Sequence, residues 1–230
     1  YIKYLDSDDL LAKNSLSEQV RKLKSSSSDV CYGRWEEFGT SSTTCSLPDW
    51  EMPLADPVDS LLSDWWSPIF SYLIRTDIAR KVEWDAGLSS AQDFDYFLRL
   101  AISGASFVYS RVPTGLYRYH TGGRTSRKSL AVWCSNREKA LNNAEEALHL
   151  ANRLNEARKS ILAINYFKLS QVVFSIDHHW YRRLLKRVLY LQPNFRPPKP
   201  SHAFATKLFG IEGTEYLLEI RRRARRLLRQ

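Results

Sequence analysis

The chain has 230 residues, enough for one large domain or two small ones; 43% are apolar and 13% aromatic, which excludes wholesale disorder. The net charge of +9 hides an asymmetry. Residues 1–126 hold 13 Lys and Arg against 17 Asp and Glu, a net of −4, whereas residues 127–230 hold 21 against 8, a net of +13. That contrast predicts two regions with different surroundings and a break near Ser126.

Cys31, Cys45 and Cys134 are odd in number and scattered. They match neither a disulfide framework nor a zinc spacing, so a reducing compartment is expected. No run approaches the roughly 20 apolar residues of a membrane span, and no signal peptide is visible, which predicts a cytoplasmic protein.

The first residues, Tyr1-Ile-Lys-Tyr-Leu-Asp6-Ser-Asp8-Asp9, pass abruptly from apolar to acidic. The pattern predicts a buried strand over residues 1–5 that delivers carboxylates to the crevice at a strand end, where α/β proteins place ligands. Two carboxylates two residues apart can converge on one hard divalent cation. The same run also fits a solvated turn in which Asp8 or Asp9 caps the next helix. A calcium loop is excluded, because its further ligand and glycine are missing.

A helix follows, capped by Asn14 or Ser15, with Leu16, Val20 and Leu23 at helical spacing and Ser25 to Ser28 as its end. Residues 30–32 and 35–38 read as short strands. Residues 39–56, rich in Ser, Thr and Pro, read as a long loop near a functional site. Trp65-Trp66-Ser-Pro68 leads into an apolar stretch over 69–74, and Thr76 starts a short helix. Ser90-Ala-Gln-Asp93 resembles a capping box, predicting a helix from there to about Ser103 with Gly104 as its stop. Residues 106–112 and 116–120 alternate like strands, separated by Pro113.

Beyond Arg127 the pattern is helical. One stripe holds Leu141, Ala144, Leu148, Ala151 and Leu154; Ile161, Ile164 and Leu169 start a second; Trp180, Leu184, Val188 and Leu189 make a third. A proline-rich break over 192–200 precedes a last amphipathic, arginine-rich helix over 214–229. Such a helix suits either an anionic membrane surface or a solvated cap.

Three places can carry chemistry. The first is the Asp6, Asp8 and Asp9 cluster. The second is Asp93, in the first turn of a helix, where the helix dipole suits a carboxylate acting as a cap or a general base. Asp95 and Arg99, four apart, fit a pair on the surface of that helix. The third is Tyr117-Arg-Tyr-His120-Thr-Gly-Gly-Arg124, where Arg124 suits a phosphate and His120 suits a metal shell or a structural role. Trp65, Trp66 and Trp84 fit either sugar stacking or core packing, with Trp66 the choice for an acceptor platform.

Taken in order, Leu-Asp6-Ser-Asp8-Asp9, Trp65-Trp66-Ser-Pro68, Gln92-Asp93-Phe-Asp-Tyr-Phe-Leu-Arg-Leu-Ala and Tyr117-Arg-Tyr-His120 resemble the family 2 glycosyltransferases, over residues 1–126. The resemblance implies a partial GT-A nucleotide-sugar transferase sheet, Rossmann-like and α/β, lacking its amino-terminal half, followed by an all-α region over 127–230. It implies an inverting transfer of a sugar from a nucleotide-sugar donor to a glycan or lipid-linked acceptor. Asp93 becomes the general base, Asp8 and Asp6 the ligands of Mn²⁺ or Mg²⁺ with His120 completing the shell, and Asp6 and Arg124 donor contacts. The family's Glu before the base is Gln92 here. The strands that hold the nucleotide base are absent, so a piece of a longer enzyme, inactive alone, is expected. The rival expectation is a non-catalytic helical module whose basic surface binds a membrane, a partner or nucleic acid. Nucleic acid ranks last, since no motif for it is present.

Overall fold

The computed structural model describes residues 1–39, 51–119 and 129–227. The chain is mixed α/β and divides into two compact units, Tyr1–Leu154 and Asn155–Gln230. This division lies beyond the charge break near Ser126, because the first long helix after that break packs within the first unit.

The first unit holds a four-stranded sheet of order β1-β4-β2-β3, formed by β1 (Leu10–Leu11), β2 (Val30–Gly39), β3 (Leu73–Ile74) and β4 (Phe107–Tyr119). The central pair, β2 and β4, is parallel, and the short outer strands are antiparallel to their neighbours. The expected breaks at Gly33-Arg34 and at Pro113 do not divide the central strands; both are continuous. The register shifts between Gly33 and Trp35 absorb Pro113, since a bulge tolerates a residue that cannot donate to the ladder. Thr114 Oγ1 donates to Arg34 O at 2.6 Å across this irregularity.

The expected strand over residues 1–5 reduces to one bridge, in which Ile2 and Ile74 exchange both backbone hydrogen bonds at 2.8 and 2.9 Å. β3 has only two residues, between a 3-10 turn at Ile69–Ser71 and helix α3 (Thr76–Ala79), which limits the pairing. Between Ile2 on the β3 side and Leu10 beside β4, the chain crosses from one edge of the sheet to the other. The three carboxylates ride on that crossing, in a turn closed by Asp9 N donating to Asp6 O at 3.2 Å.

Helix α1 (Ser15–Ser26) starts as expected after Asn14, but Leu16 is exposed, and Gln19 is buried with Leu23. Gln19 Nε2 donates to Cys31 O and Ser71 O at 3.2 and 2.8 Å, fastening the helix to the sheet. After α2 (Pro57–Leu62), α4 (Gln92–Ile102) stacks Tyr96 on Trp84 and Phe97 on Tyr72, with ring centroids 4.1 and 3.7 Å apart. Its N-cap is Ala91, in the left-handed region with φ 60, without a side-chain cap; Ser90 bonds instead to Asn136 at 2.9 Å. Asp95 pairs with Arg99 as its spacing predicts, yet the carboxylate is fully buried rather than superficial. Asn143 Nδ2, on α5 (Leu130–Leu150), donates to Asp95 Oδ1 at 2.9 Å and joins the two helices.

The second unit comprises α6 (Glu156–Val173), α7 (His178–Leu191) and α8 (Pro200–Leu227). Leu162, Tyr166, Phe167, Tyr181, Leu184 and Val188 form its core. The last helix begins at Pro200, fourteen residues before its expected start, and Gly210 interrupts it with φ 69 and ψ 170. That left-handed conformation suits a residue without Cβ. Among the described residues no helix is long and apolar enough to cross a membrane.

Candidate functional site

Asp93 stands in the first turn of α4, half-buried. Its Oδ1 accepts the Phe94 N–H at 2.8 Å, and its Oδ2 accepts Trp66 Nε1–H at 2.8 Å. The two tryptophans of the tandem face different ways. Trp65 is buried, edge-on to Tyr32 and Tyr72 at 5.3 and 6.5 Å, and belongs to the core. Trp66 is 40% exposed and edge-on to Trp35 at 5.6 Å and Tyr117 at 5.8 Å. The parallel pair β2 and β4 supplies Trp35 and Tyr117, so the sheet sets the ring that in turn holds the carboxylate. Trp84 packs on Tyr4 and Tyr96.

Asp6 and Asp8 lie in the electrostatic field of the same site. Burial pushes the Asp6 carboxyl above its usual range, and the negative charges of Asp8 and Asp93 push it further. Asp9 is the most enclosed of the cluster, and burial carries its pKa up to about 6 against the opposing hydrogen bond from Arg118. Its Oδ1 accepts the Arg118 N–H at 2.8 Å, and its buried Oδ2 has no hydrogen-bond partner among the described residues. Arg118 Nε donates to Asp8 O at 2.7 Å, so β4 clamps the acidic turn by main chain and side chain together.

A positive charge beside Asp93 comes from Arg137 of α5. Its guanidinium lies 3.6 Å from the Phe94 ring centroid and pairs with Asp64 at 3.0 Å. Burial lowers its pKa, with Asp64 and Asp93 opposing. Trp65, Trp66, Ser67, Asp93 and Arg137 line a cleft of ≈ 80 Å³. The buried Ser67 Oγ and Trp65 Nε1 have no hydrogen-bond partner among the described residues.

Of the expected site residues, Trp66 and Asp93 meet directly, and Asp6 feels the charges of both Asp8 and Asp93. His120 and Arg124 lie outside the described residues, as do residues 40–50 of the expected long loop. No sequence pattern singles out Arg137 or Asp64, and Arg118 stands out only as part of a strand-end run. Arg137 and Asp64 are 73 residues apart, and no local pattern links them. Arg118 was within the Tyr117-Arg-Tyr-His120 run, but its partners Asp8 and Asp9 are 109 residues or more away.

The carboxylates are hard oxygen donors, of the type that hold Mg²⁺ or Mn²⁺ by one or two side chains together with substrate phosphates. Among the described residues no group of three or more His, Cys, Asp or Glu is placed to hold a metal ion. Burial, more than the mutual repulsion of the carboxylates, holds the Asp6 and Asp9 carboxyls above their usual range. No protein-family model matches the chain, and no curated protein matches it.

Proposed function

We propose that the first unit is the acceptor-side and metal-side portion of a GT-A catalytic domain in an inverting, family 2-like glycosyltransferase. The observation that carries this reading is the hydrogen bond from Trp66 Nε1 to Asp93 Oδ2, beside an Asp6 carboxyl that feels the charges of Asp8 and Asp93. A base, an exposed indole and a pair of hard ligands are the parts such a transfer needs, and they come from separate stretches of chain.

In this reading the acceptor hydroxyl approaches Asp93 across the face of Trp66. The hydroxyl oxygen bonds to the anomeric carbon while the bond from that carbon to the donor diphosphate breaks, and the acceptor proton passes to the Asp93 carboxylate. Trp66, by donating to Oδ2, fixes the rotation of the carboxylate. Positioned general-base catalysis typically contributes ~10²–10⁴-fold. Asp8 and Asp6 would hold Mn²⁺ or Mg²⁺, which supplies charge stabilisation of the departing diphosphate. Arg118 holds the acidic turn in place through the Asp8 carbonyl and the Asp9 carboxylate.

Isothermal titration of UDP, then GDP, with and without Mn²⁺ tests the reading, on this chain and on one extended upstream of Tyr1. Nucleotide binding that requires the metal, in either polypeptide, supports it. Absence of binding in both overturns it and leaves the carboxylates structural.

A further inference from the structure

The last helix of the second unit presents the opposite polarity to that expected of a packed helix. Thr214 and Glu215 are buried, and Glu215 Oε1 faces His202 Nε2 at 2.9 Å and accepts from Gln171 Nε2 at 3.0 Å. Apolar residues stand outside. Phe204, Leu208 and Phe209 are 66%, 60% and 58% exposed, and Ile220 is 64% exposed beside Leu217. Phe204 and Leu208 are four apart and share one helical face before Gly210, as Leu217 and Ile220, three apart, do after it. Exposed apolar clusters of this kind mark an interaction surface.

The charge of the unit selects the occupant. Residues 155–230 carry 16 Lys and Arg against 5 Asp and Glu, a net of +11. Lys207 lies within the apolar stretch, and Arg221, Arg222, Arg223, Arg225 and Arg226 follow in the last turns of the helix. A second copy would bring the same +11 to the contact and be repelled. A nucleic acid would use the charges and leave the phenylalanines and leucines in water. An anionic bilayer surface uses both, taking apolar side chains below its headgroups while its phosphates attract the basic ones.

We propose that α8 docks the protein on an anionic lipid surface, with Phe204, Leu208 and Phe209 inserted and Leu217 and Ile220 as a second foothold. This is independent of the glycosyltransferase reading, because it concerns the second unit alone.

Co-sedimentation of the protein with phosphatidylcholine vesicles, and with vesicles containing roughly a third phosphatidylglycerol, tests it. Binding is expected only to the anionic vesicles, weakening with salt. The triple variant Phe204→Ser, Leu208→Ser, Phe209→Ser is expected to lose about 100-fold in partition coefficient, given the apolar area withdrawn from the bilayer. Leu217→Ser with Ile220→Ser is the second variant, used if circular dichroism shows the first unfolded, and is expected to weaken binding about tenfold. No sedimentation with anionic vesicles overturns the proposal, as does equal binding by the folded variant. Sedimentation velocity showing a wild-type dimer that the variant abolishes also overturns it, assigning the face to self-association.

Discussion

Trp66 Nε1 donates to Asp93 Oδ2 at 2.8 Å, joining the loop after α2 to the first turn of α4 across 27 residues of sequence. The bond makes the orientation of the carboxylate depend on an aromatic ring that the central strands hold edge-on. In a full-length enzyme, Asp93→Asn is expected to lower turnover at least ~100-fold with little change in donor affinity. Trp66→Phe keeps a ring but removes the donor, and about tenfold is expected from a hydrogen bond to a charged group. Steady-state kinetics beside donor titration checks both; near-normal turnover in Asp93→Asn removes the base assignment.

Asp8→Ala addresses the metal side. Nucleotide affinity measured by titration in Mn²⁺ is expected to weaken at least ~10-fold, because one of two hard ligands is lost. Affinity without Mn²⁺ is expected to stay the same. Equal loss in both conditions would point to a folding defect instead.

Gly33 marks the close approach of β2 to β4. A Cβ there would meet Thr114 Cγ2 at 2.7 Å, Ser110 O at 2.8 Å and Val112 O at 2.9 Å. Two of these neighbours are backbone and cannot swing aside, so Gly33→Ala is expected to cost about 2 kcal/mol or more. Urea unfolding measures it, and a cost below about half a kcal/mol contradicts the register at the bulge.

Asp95 is a buried charge with Arg99 and Asn143 as partners. Truncating one member of a buried pair leaves the other uncompensated, and Asp95→Ala is expected to cost about 3 kcal/mol. A thermal or urea midpoint matching that of the wild type would mean that the α4–α5 junction tolerates solvent.

Lys3 sets a pH dependence of stability. Burial lowers its pKa to about 8 from 10.5, and its ammonium donates to Gln19 Oε1. Below about 8 both folded and unfolded chains carry the charge, and the fold bears the desolvation cost. Above 10.5 both are neutral and the cost is gone, so this group adds up to about 3 kcal/mol of stability as pH rises between the two. Cys31 acts oppositely: its thiol is pushed from 9.0 to about 11, so the fold keeps a proton that the unfolded chain releases, and stability falls over that range. The difference between Lys3→Met and wild type isolates the lysine. The advantage of the variant is expected to shrink by about 3 kcal/mol between pH 8 and pH 10.5; a constant difference would show that Lys3 is solvated.

Local chemistry determined much by itself. Helical spacing was sufficient to place α1 and α4, because it depends on contacts within a few residues, although the side-chain caps expected at their starts do not form. The acidic turn, the tandem tryptophan and Asp93 were also visible as residue types in order. Tertiary structure decided the rest. Two broken strand patterns became continuous because the bulge at Gly33-Arg34 is a property of the pair. The first residues gained only the bridge at Ile2, because β3 is short. Which tryptophan reached Asp93, and which basic residues joined it, depended on side chains brought together from distant parts of the chain. The outward apolar face of α8 was likewise a tertiary outcome: helical periodicity identifies a stripe, but only packing decides that Thr214 and Glu215 turn inward and leave Phe204, Leu208 and Ile220 in water.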